Sequence, residues 1–260
     1  MAGEVIVRVR GLVNRFDGPP VHDGLDLDIH RGEVLGVVGG SGTGKSVLLR
    51  TIIGLNRARA GTVELLGTDM IHGSETELRA ARQRFGVLFQ DGALFSSLTV
   101  IQNIQVPLRE FHHLPRDLLD EIALAKLRMV GLPPDAGGKY PAELSGGMRK
   151  RAGLARALAL DPEIVFLDEP TAGLDPIGAA AFDQLVRDLQ QALGLTVFMV
   201  THDLDSLHAI CDRIAVLAER RVLVAGPMET MLKHDHPWVR EYFHGPRARA
   251  AAVTAVLEVR

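Results

Sequence analysis

The sequence predicts an α/β fold whose main sheet is largely parallel, with a β-rich beginning and a helical insertion. Three observations predict it. A β-branched run, a glycine-rich loop and an apolar helix-compatible run follow one another in "EVLGVVGGSGTGKSVLLRTIIG", residues 33–54. Beyond residue 160, short apolar strands alternate with helix-like segments, the order a parallel sheet requires. Between these regions, from about Thr99 to Leu160, the pattern is helical.

In the first third, "EVIVRVRGL", "LDLDIHRGE" and "AGTVELLG" read as strands, with Leu25, Leu27 and Ile29 alternating against charged neighbours. The loop that follows "EVLGVV" consists of Gly39, Gly40, Ser41, Gly42, Thr43 and Gly44, and Lys45 and Ser46 open the helix. This spacing, between a strand and a helix N-terminus, is that of a phosphate cradle built from backbone N–H groups. Glycine lets the loop take backbone angles closed to other residues and brings the chain close to ligand oxygens. Lys45 supplies a point charge to β- and γ-phosphates, and the Ser46 hydroxyl suits the Mg²⁺ that bridges them. The stretch therefore predicts a nucleoside triphosphate site.

Composition narrows the classes. The chain has 260 residues, 47% of them hydrophobic, and can bury a sizeable core. A net charge of −3 leaves no basic footprint, so no nucleic-acid partner is expected. The single cysteine, Cys211, excludes an internal disulfide and is expected to be a small buried residue of a protein in a reducing compartment. "MAGEVIVRVRG" lacks the apolar core of a secretion signal, so export is not expected. Residues 92–108, "GALFSSLTVIQNIQVPL", carry no charge but include Ser96, Ser97, Thr99, Gln102, Asn103, Gln105 and Pro107. That is too polar for a membrane span. The segment reads instead as a surface kept uncharged because something apolar docks there, with Leu94 and Phe95 as socket residues or, alternatively, as core.

In the helical region, "RDLLDEIALAKLRMVGL" ends at a glycine and a Pro-Pro pair. "ELSGGMRKRAGLARALAL", residues 143–160, opens with Ser145, Gly146 and Gly147 at a second helix N-terminus of anion-binding type. Its triplet Arg149, Lys150, Arg151 reads as a solvated helix face, with acidic lipid or a partner as the alternative. "EIVFLDE", "LTVFMVTH" and "RIAVLAE" read as strands and "AAAFDQLVRDLQQAL" as a helix. "IVFLDEP" delivers Asp168 and Glu169 to the sheet edge, where open α/β folds bind ligands. Asp168 would hold Mg²⁺ there, and Glu169 would orient or deprotonate an attacking water.

With Leu144, Ser145, Gly146 and Gly147 as an LSGG signature, the chain resembles the ATP-binding-cassette ATPases over about residues 5–243. The resemblance implies a P-loop NTPase core of RecA-like type, about 1–90 and 158–232. An N-terminal antiparallel β subdomain and a helical subdomain at about 91–157 belong to the same 1–232 domain, and a C-terminal helix and tail occupy 233–260. It further implies that Phe16 stacks on adenine and that Gln90 touches Mg²⁺ and the attacking water. Asp175 would communicate across a head-to-tail dimer, and His202 would contact the γ-phosphate. Ser145, Gly146 and Gly147 of one copy would then close over the ATP held by the other. Many members have Gln after LSGG where this chain has Met148, which removes a polar contact.

"LSGGMRKRAGLARALAL", "FQDGALFSSLTVIQNIQVPLRE" and "HHLPRDLL" resemble the ATPases of the Mla phospholipid transporters and their MCE-associated relatives. That implies an ATP-hydrolysing subunit at the cytoplasmic face of the inner membrane, held there by a separate permease. An MCE-type substrate-binding protein and a small STAS-domain protein would complete the assembly. The alternatives are the ATPase of a small-solute importer and a non-transport ATPase of the same family. Within the second, a member acting on DNA would need a long coiled-coil insertion and one acting on ribosomes a second P-loop, and the sequence has neither, while one acting on iron–sulfur assembly proteins stays open. The tail "GPRARAAAVTAVLEVR" is expected to be disordered or to contact a neighbouring subunit.

Overall fold

The computed structural model describes residues 3–245. In chain order the elements are β1 (Val5–Asn14), β2 (His22–His30), β3 (Val34–Gly39), α1 (Lys45–Ile52), β4 (Ala60–Leu65), β5 (Thr68–Asp69), α2 (Glu75–Arg82), β6 (Phe85–Leu88), α3 (Val100–Phe111), α4 (Arg116–Met129), α5 (Gly146–Ala157), β7 (Ile164–Asp168), α6 (Pro176–Leu193), β8 (Thr196–Val200), α7 (Leu204–Ile210), β9 (Arg213–Ala218), β10 (Arg221–Gly226), α8 (Met228–Leu232) and α9 (Pro237–His244). The tail beyond Gly245 lies outside the described residues.

Alternation shapes the first sheet, whose order is β2-β1-β4-β5 and whose strands pair antiparallel. Leu25, Leu27 and Ile29 face inward and are buried, while Asp26 faces water. The second sheet has the order β10-β9-β3-β8-β7-β6, parallel throughout except for the β10 edge. Every residue of β3, β7 and β8 is buried, as strands covered on both faces must be. Strand β3 feeds three cores. Val34 packs with the helical region, Leu35 and Val37 with the first sheet, and Val38 with Val239 and Phe243 of α9.

The uncharged segment after Gln90 is neither a membrane span nor a plain helix. Thr99 caps α3, accepting from the Gln102 N–H, while the Gln102 side chain accepts from the Thr99 N–H. Buried Asn103 accepts from the Phe95 N–H and donates to Phe95, Leu98 and Thr99 carbonyls, so its amide organises the preceding turn. Thr99, Gln102 and Asn103 are thus spent on building a loop and a cap, while Gln105 donates to Asp120 and accepts from Arg109. Among the described residues no helix is long and apolar enough to cross a membrane. Cys211 is half-buried, its Sγ packed on Gly36, and burial pushes its thiol pKa up.

Candidate functional site

The buried strand β3 ends at Gly39, where the chain turns through Gly42 and Gly44 at φ of +78° and +92° into α1. A Cβ on Gly39 would lie 2.5 Å from the Leu217 carbonyl, so the loop sits closer to the sheet than any other residue allows. The first turn of α1 has no side-chain cap and no acidic residue, leaving its N–H groups for an anion. Lys45 Nζ folds back onto the Gly39 and Gly40 carbonyls at 2.9 and 3.3 Å. Burial draws its pKa down, and the nearby Glu169 and Asp168 oppose the shift.

Strand β7 brings Asp168 and Glu169 to the same edge. Ser46 Oγ donates to Asp168 Oδ1 at 2.8 Å, joining the loop to the strand end. Glu169 has a left-handed backbone, φ +50°, a conformation that a non-glycine residue keeps only when its surroundings enforce it. Its N–H donates to the Val200 carbonyl at 2.9 Å. Its Oε2 lies 2.7 Å from His202 Nδ1, at the end of β8. The imidazole is mostly exposed while the carboxylate is mostly covered, so the pair faces outward across the loop.

Gln90 follows β6, and its carbonyl accepts from Lys150 Nζ at 2.7 Å. The same ammonium donates to the Glu169 carbonyl at 3.0 Å. The reading of residues 149–151 as one solvated face is therefore corrected. Arg149 is exposed, but Lys150 is buried and Arg151 donates to the Val130 carbonyl at 2.7 Å. Burial draws the Lys150 pKa down, with Asp91 and Glu169 opposing. The helical spacing of Lys150 with apolar Leu154 and Ala157 was the available signal, and the charge triplet masked it.

Three further buried polar residues escaped the sequence reading. Asn14 Nδ2 lies 3.0 Å from His22 Nδ1 and donates to Thr51 Oγ1 at 3.0 Å, beneath the glycine loop. Phe16, on the adjoining turn, is about half exposed.

The other predicted site residues form a second group. Ser145 caps α5, its Oγ accepting from the Met148 N–H at 3.2 Å. Asp175 caps α6, its Oδ1 accepting from the Gly178 N–H at 2.9 Å. Gly146 and Gly147 both face Leu174, just before Asp175. The structure thus gathers Lys45, Ser46, Asp168, Glu169, His202 and the Gln90 backbone in one place and sets the signature residues beside Leu174 in another.

Near the first group, a groove of about 430 Å³ opens between β6 and α3, lined by Phe85, Phe95, Pro107, Phe111 and Arg156 among others. Phe95 is 53% exposed at this groove, whereas Leu94 is partly buried against the core. The two presumed socket residues thus have different surroundings.

Residues 22–172 match the ABC transporter family. Among curated proteins, the probable ribonucleotide transport ATP-binding protein mkl of Mycobacterium leprae is 43% identical over 94% of this chain and 70% of its own length. The intermembrane phospholipid transport system ATP-binding protein MlaF of Haemophilus influenzae is 37% identical over 92% of this chain and 90% of its own. A methionine import ATP-binding protein MetN from Lacticaseibacillus paracasei is 38% identical over 88% of this chain and 65% of its own. Among solved structures, the dimeric post-hydrolysis state of the cassette MJ0796 with ADP and Pi has a TM-score of 0.78 at 29% identity, covering 85% of this chain and 98% of that one. The cbiO1 component of the cbiONQ transporter complex of Clostridium perfringens has a TM-score of 0.79 at 29% identity, covering 96% and 99%.

Proposed function

The chain belongs to the ABC transporter family, with the P-loop ABC ATPase fold and ATP hydrolysis as its activity, and from that premise we propose that it powers a phospholipid transporter through a separate permease. In this reading Phe16 stacks on adenine while Gly39, Gly40, Ser41, Gly42, Thr43 and Gly44 wrap the phosphates with backbone N–H groups. Lys45 leaves the Gly39 and Gly40 carbonyls for the β- and γ-phosphates. The hydroxyl–carboxylate contact of Ser46 and Asp168 offers the hard oxygen donors that Mg²⁺ takes, with the Gln90 side chain as a further oxygen. Held by these oxygens, Mg²⁺ would supply positive charge against the phosphates.

Glu169 then accepts a proton from the attacking water, and His202 orients that carboxylate through the 2.7 Å contact while its exposed face reaches the γ-phosphate. Ser145, Gly146 and Gly147 are grouped beside Leu174 rather than at the P-loop. That supports a head-to-tail pair in which they close over the ATP of a second copy, with Asp175 at the same seam. The groove at Phe95 is where the permease docks, holding the chain at the cytoplasmic face of the inner membrane. An MCE-type binding protein and a small STAS-domain protein accompany the phospholipid reading.

The observation that carries the cargo is the match to the Haemophilus phospholipid-transport protein along nearly the whole of both chains. The names of the mycobacterial and methionine-import relatives support small-solute import as the second reading. Purification from detergent-solubilised membranes, with mass spectrometry of what accompanies the chain, tests the two. A permease carrying bound phospholipid, and ATP-dependent lipid movement between labelled vesicles, is expected. ATP-dependent uptake of nucleotide or methionine without lipid movement overturns the phospholipid reading.

A further inference from the structure

The Glu169–His202 pair is held at its backbone by two side chains from outside its own loops. On one side, Lys150 Nζ reaches the Glu169 carbonyl at 3.0 Å from α5, the helix that Ser145 caps, and it also grips the Gln90 carbonyl at 2.7 Å. On the other, the Tyr242 hydroxyl donates to the His202 carbonyl at 2.9 Å from α9. Helix α9 is a firm base for that contact. Val239 and Phe243 bury it against Val38, Leu207 and Val216, so it is fixed to the strands under the loop. The Tyr242 ring stacks on Trp238, with centroids 4.8 Å apart and planes within 14°, and meets Phe243 edge-on. Trp238 in turn lies against Gly40.

Within its own loops the pair is tied by the Glu169 N–H to the Val200 carbonyl at 2.9 Å and by the Ala172 N–H to the Glu169 carbonyl at 3.2 Å, and the two side chains add ties from α5 and α9. Glu169 sits in the left-handed region, where its carbonyl direction needs external support. The His202 ring is 70% exposed and its Nδ1 lies 2.7 Å from Glu169 Oε2, so the position of its main chain sets where that contact is made.

We propose that Tyr242 and Lys150 are positioning residues that set the geometry of the Glu169–His202 pair by holding the two main chains, which makes α9 part of the hydrolytic machinery. The proposal rests on the reading that this pair hydrolyses ATP.

The test uses the full chain with its membrane partner. Tyr242→Phe removes one oxygen and keeps the aromatic stack. We expect kcat for ATP to fall about threefold to tenfold, as loss of one hydrogen bond allows, with KM and melting temperature unchanged. In a His202→Ala background the same change should cost nothing more, because Tyr242 acts through His202. Lys150→Gln should lower kcat less than Lys150→Met, since Gln retains a donor. Amide hydrogen exchange at residues 201–203 should quicken in Tyr242→Phe. That arm reads the clamp even where no hydrolysis occurs, so failure of the clamp is separable from failure of the hydrolysis reading. Wild-type kcat with unchanged exchange overturns the proposal. So does an equal loss with and without His202, which would make Tyr242 a support of the fold in general.

Discussion

The imidazole of His22 lies directly under Gly44: a methyl on Gly44 would come within 2.6 Å of His22 Nε2 and 2.4 Å of Val21 Cγ1. His22 is fully buried, its Nδ1 shares Asn14 with Thr51, and Thr51 Oγ1 donates to the Val47 carbonyl at 2.7 Å. The first sheet, the glycine loop and α1 therefore meet at one buried polar cluster. Burial of the ring disfavours a proton on it, while the adjoining Gly44 and Thr43 backbone favours the charged form and opposes that effect.

Burial pulls the His22 pKa down to about 4, below the ordinary value of 6.5. A depressed pKa means the folded state resists the proton that the unfolded chain takes up. The contribution is present above pH 6.5 and lost as pH falls towards 4, about 3 kcal/mol in all. Thermal melts from pH 7.5 to pH 4.5 should show a steep loss of stability, and His22→Leu should flatten it. An equally steep profile in the variant would place the acid sensitivity elsewhere.

Asp183 of α6 titrates in the opposite sense. Burial of its carboxyl, helped by the negative charges of Asp203 and Asp205, raises its pKa to about 7 against the hydrogen bond it accepts from Ser206 Oγ at 2.6 Å. The fold favours the protonated form, so this contribution is complete below pH 3.8 and disappears as pH rises through 7. Asp183→Asn keeps an oxygen for Ser206 and removes the buried charge. It should gain about 2–4 kcal/mol on the wild type at pH 8 and little at pH 4, read from denaturant midpoints. A constant difference across pH would refute the assignment.

Two substitutions at the nucleotide site should separate binding from turnover. Glu169→Gln keeps the size of the side chain and loses the base, so ATP binding should persist while turnover falls about 10²–10⁴-fold. Lys45→Ala removes the charge aimed at the phosphates, and it should weaken nucleotide affinity as well. Wild-type hydrolysis by Glu169→Gln in the reconstituted complex would contradict the role given to that carboxylate.

The groove residues should divide. Phe95→Asp alters an exposed ring, so the isolated chain should fold and bind nucleotide while permease association weakens, a charge being costly to desolvate at an interface. Leu94→Glu places a charge against the core and should lower stability first, by about 1–3 kcal/mol. Circular dichroism and pull-down with the permease distinguish them. A folded Phe95→Asp chain that assembles normally would remove the groove from the docking surface.

Much of the architecture was legible because its signals are local. The buried runs of β3, β7 and β8 and the alternation of β2 each announce themselves within a few residues. Strand β6, only "FGVL", is too short for any periodicity, and its place beside β7 is a long-range fact. The loop and both acids of the site were readable from spacing. Lys150 and Tyr242 were not, because what gives them meaning is a carbonyl of a residue distant in sequence, and a carbonyl leaves no trace in a side-chain pattern. Ser145 and Asp175 were recognised as functional candidates, yet their helix-capping contacts emerged only with the backbone.

The neighbours of β3 have a consequence for synthesis. Val34 pairs with Val197 and Gly36 with Ile214, so both flanks of the strand that carries the glycine loop come from the last third of the chain. A ribosome adding about 5–20 residues per second leaves β3 without either neighbour for on the order of ten seconds or more. Throughout that interval the growing polypeptide offers a six-residue apolar strand with two open edges, the form most prone to pair with another nascent chain. The first sheet, by contrast, is complete as soon as β5 emerges, and Leu35 and Val37 share its core. The nucleotide loop therefore matures late, on a strand whose early shelter comes from the amino-terminal sheet.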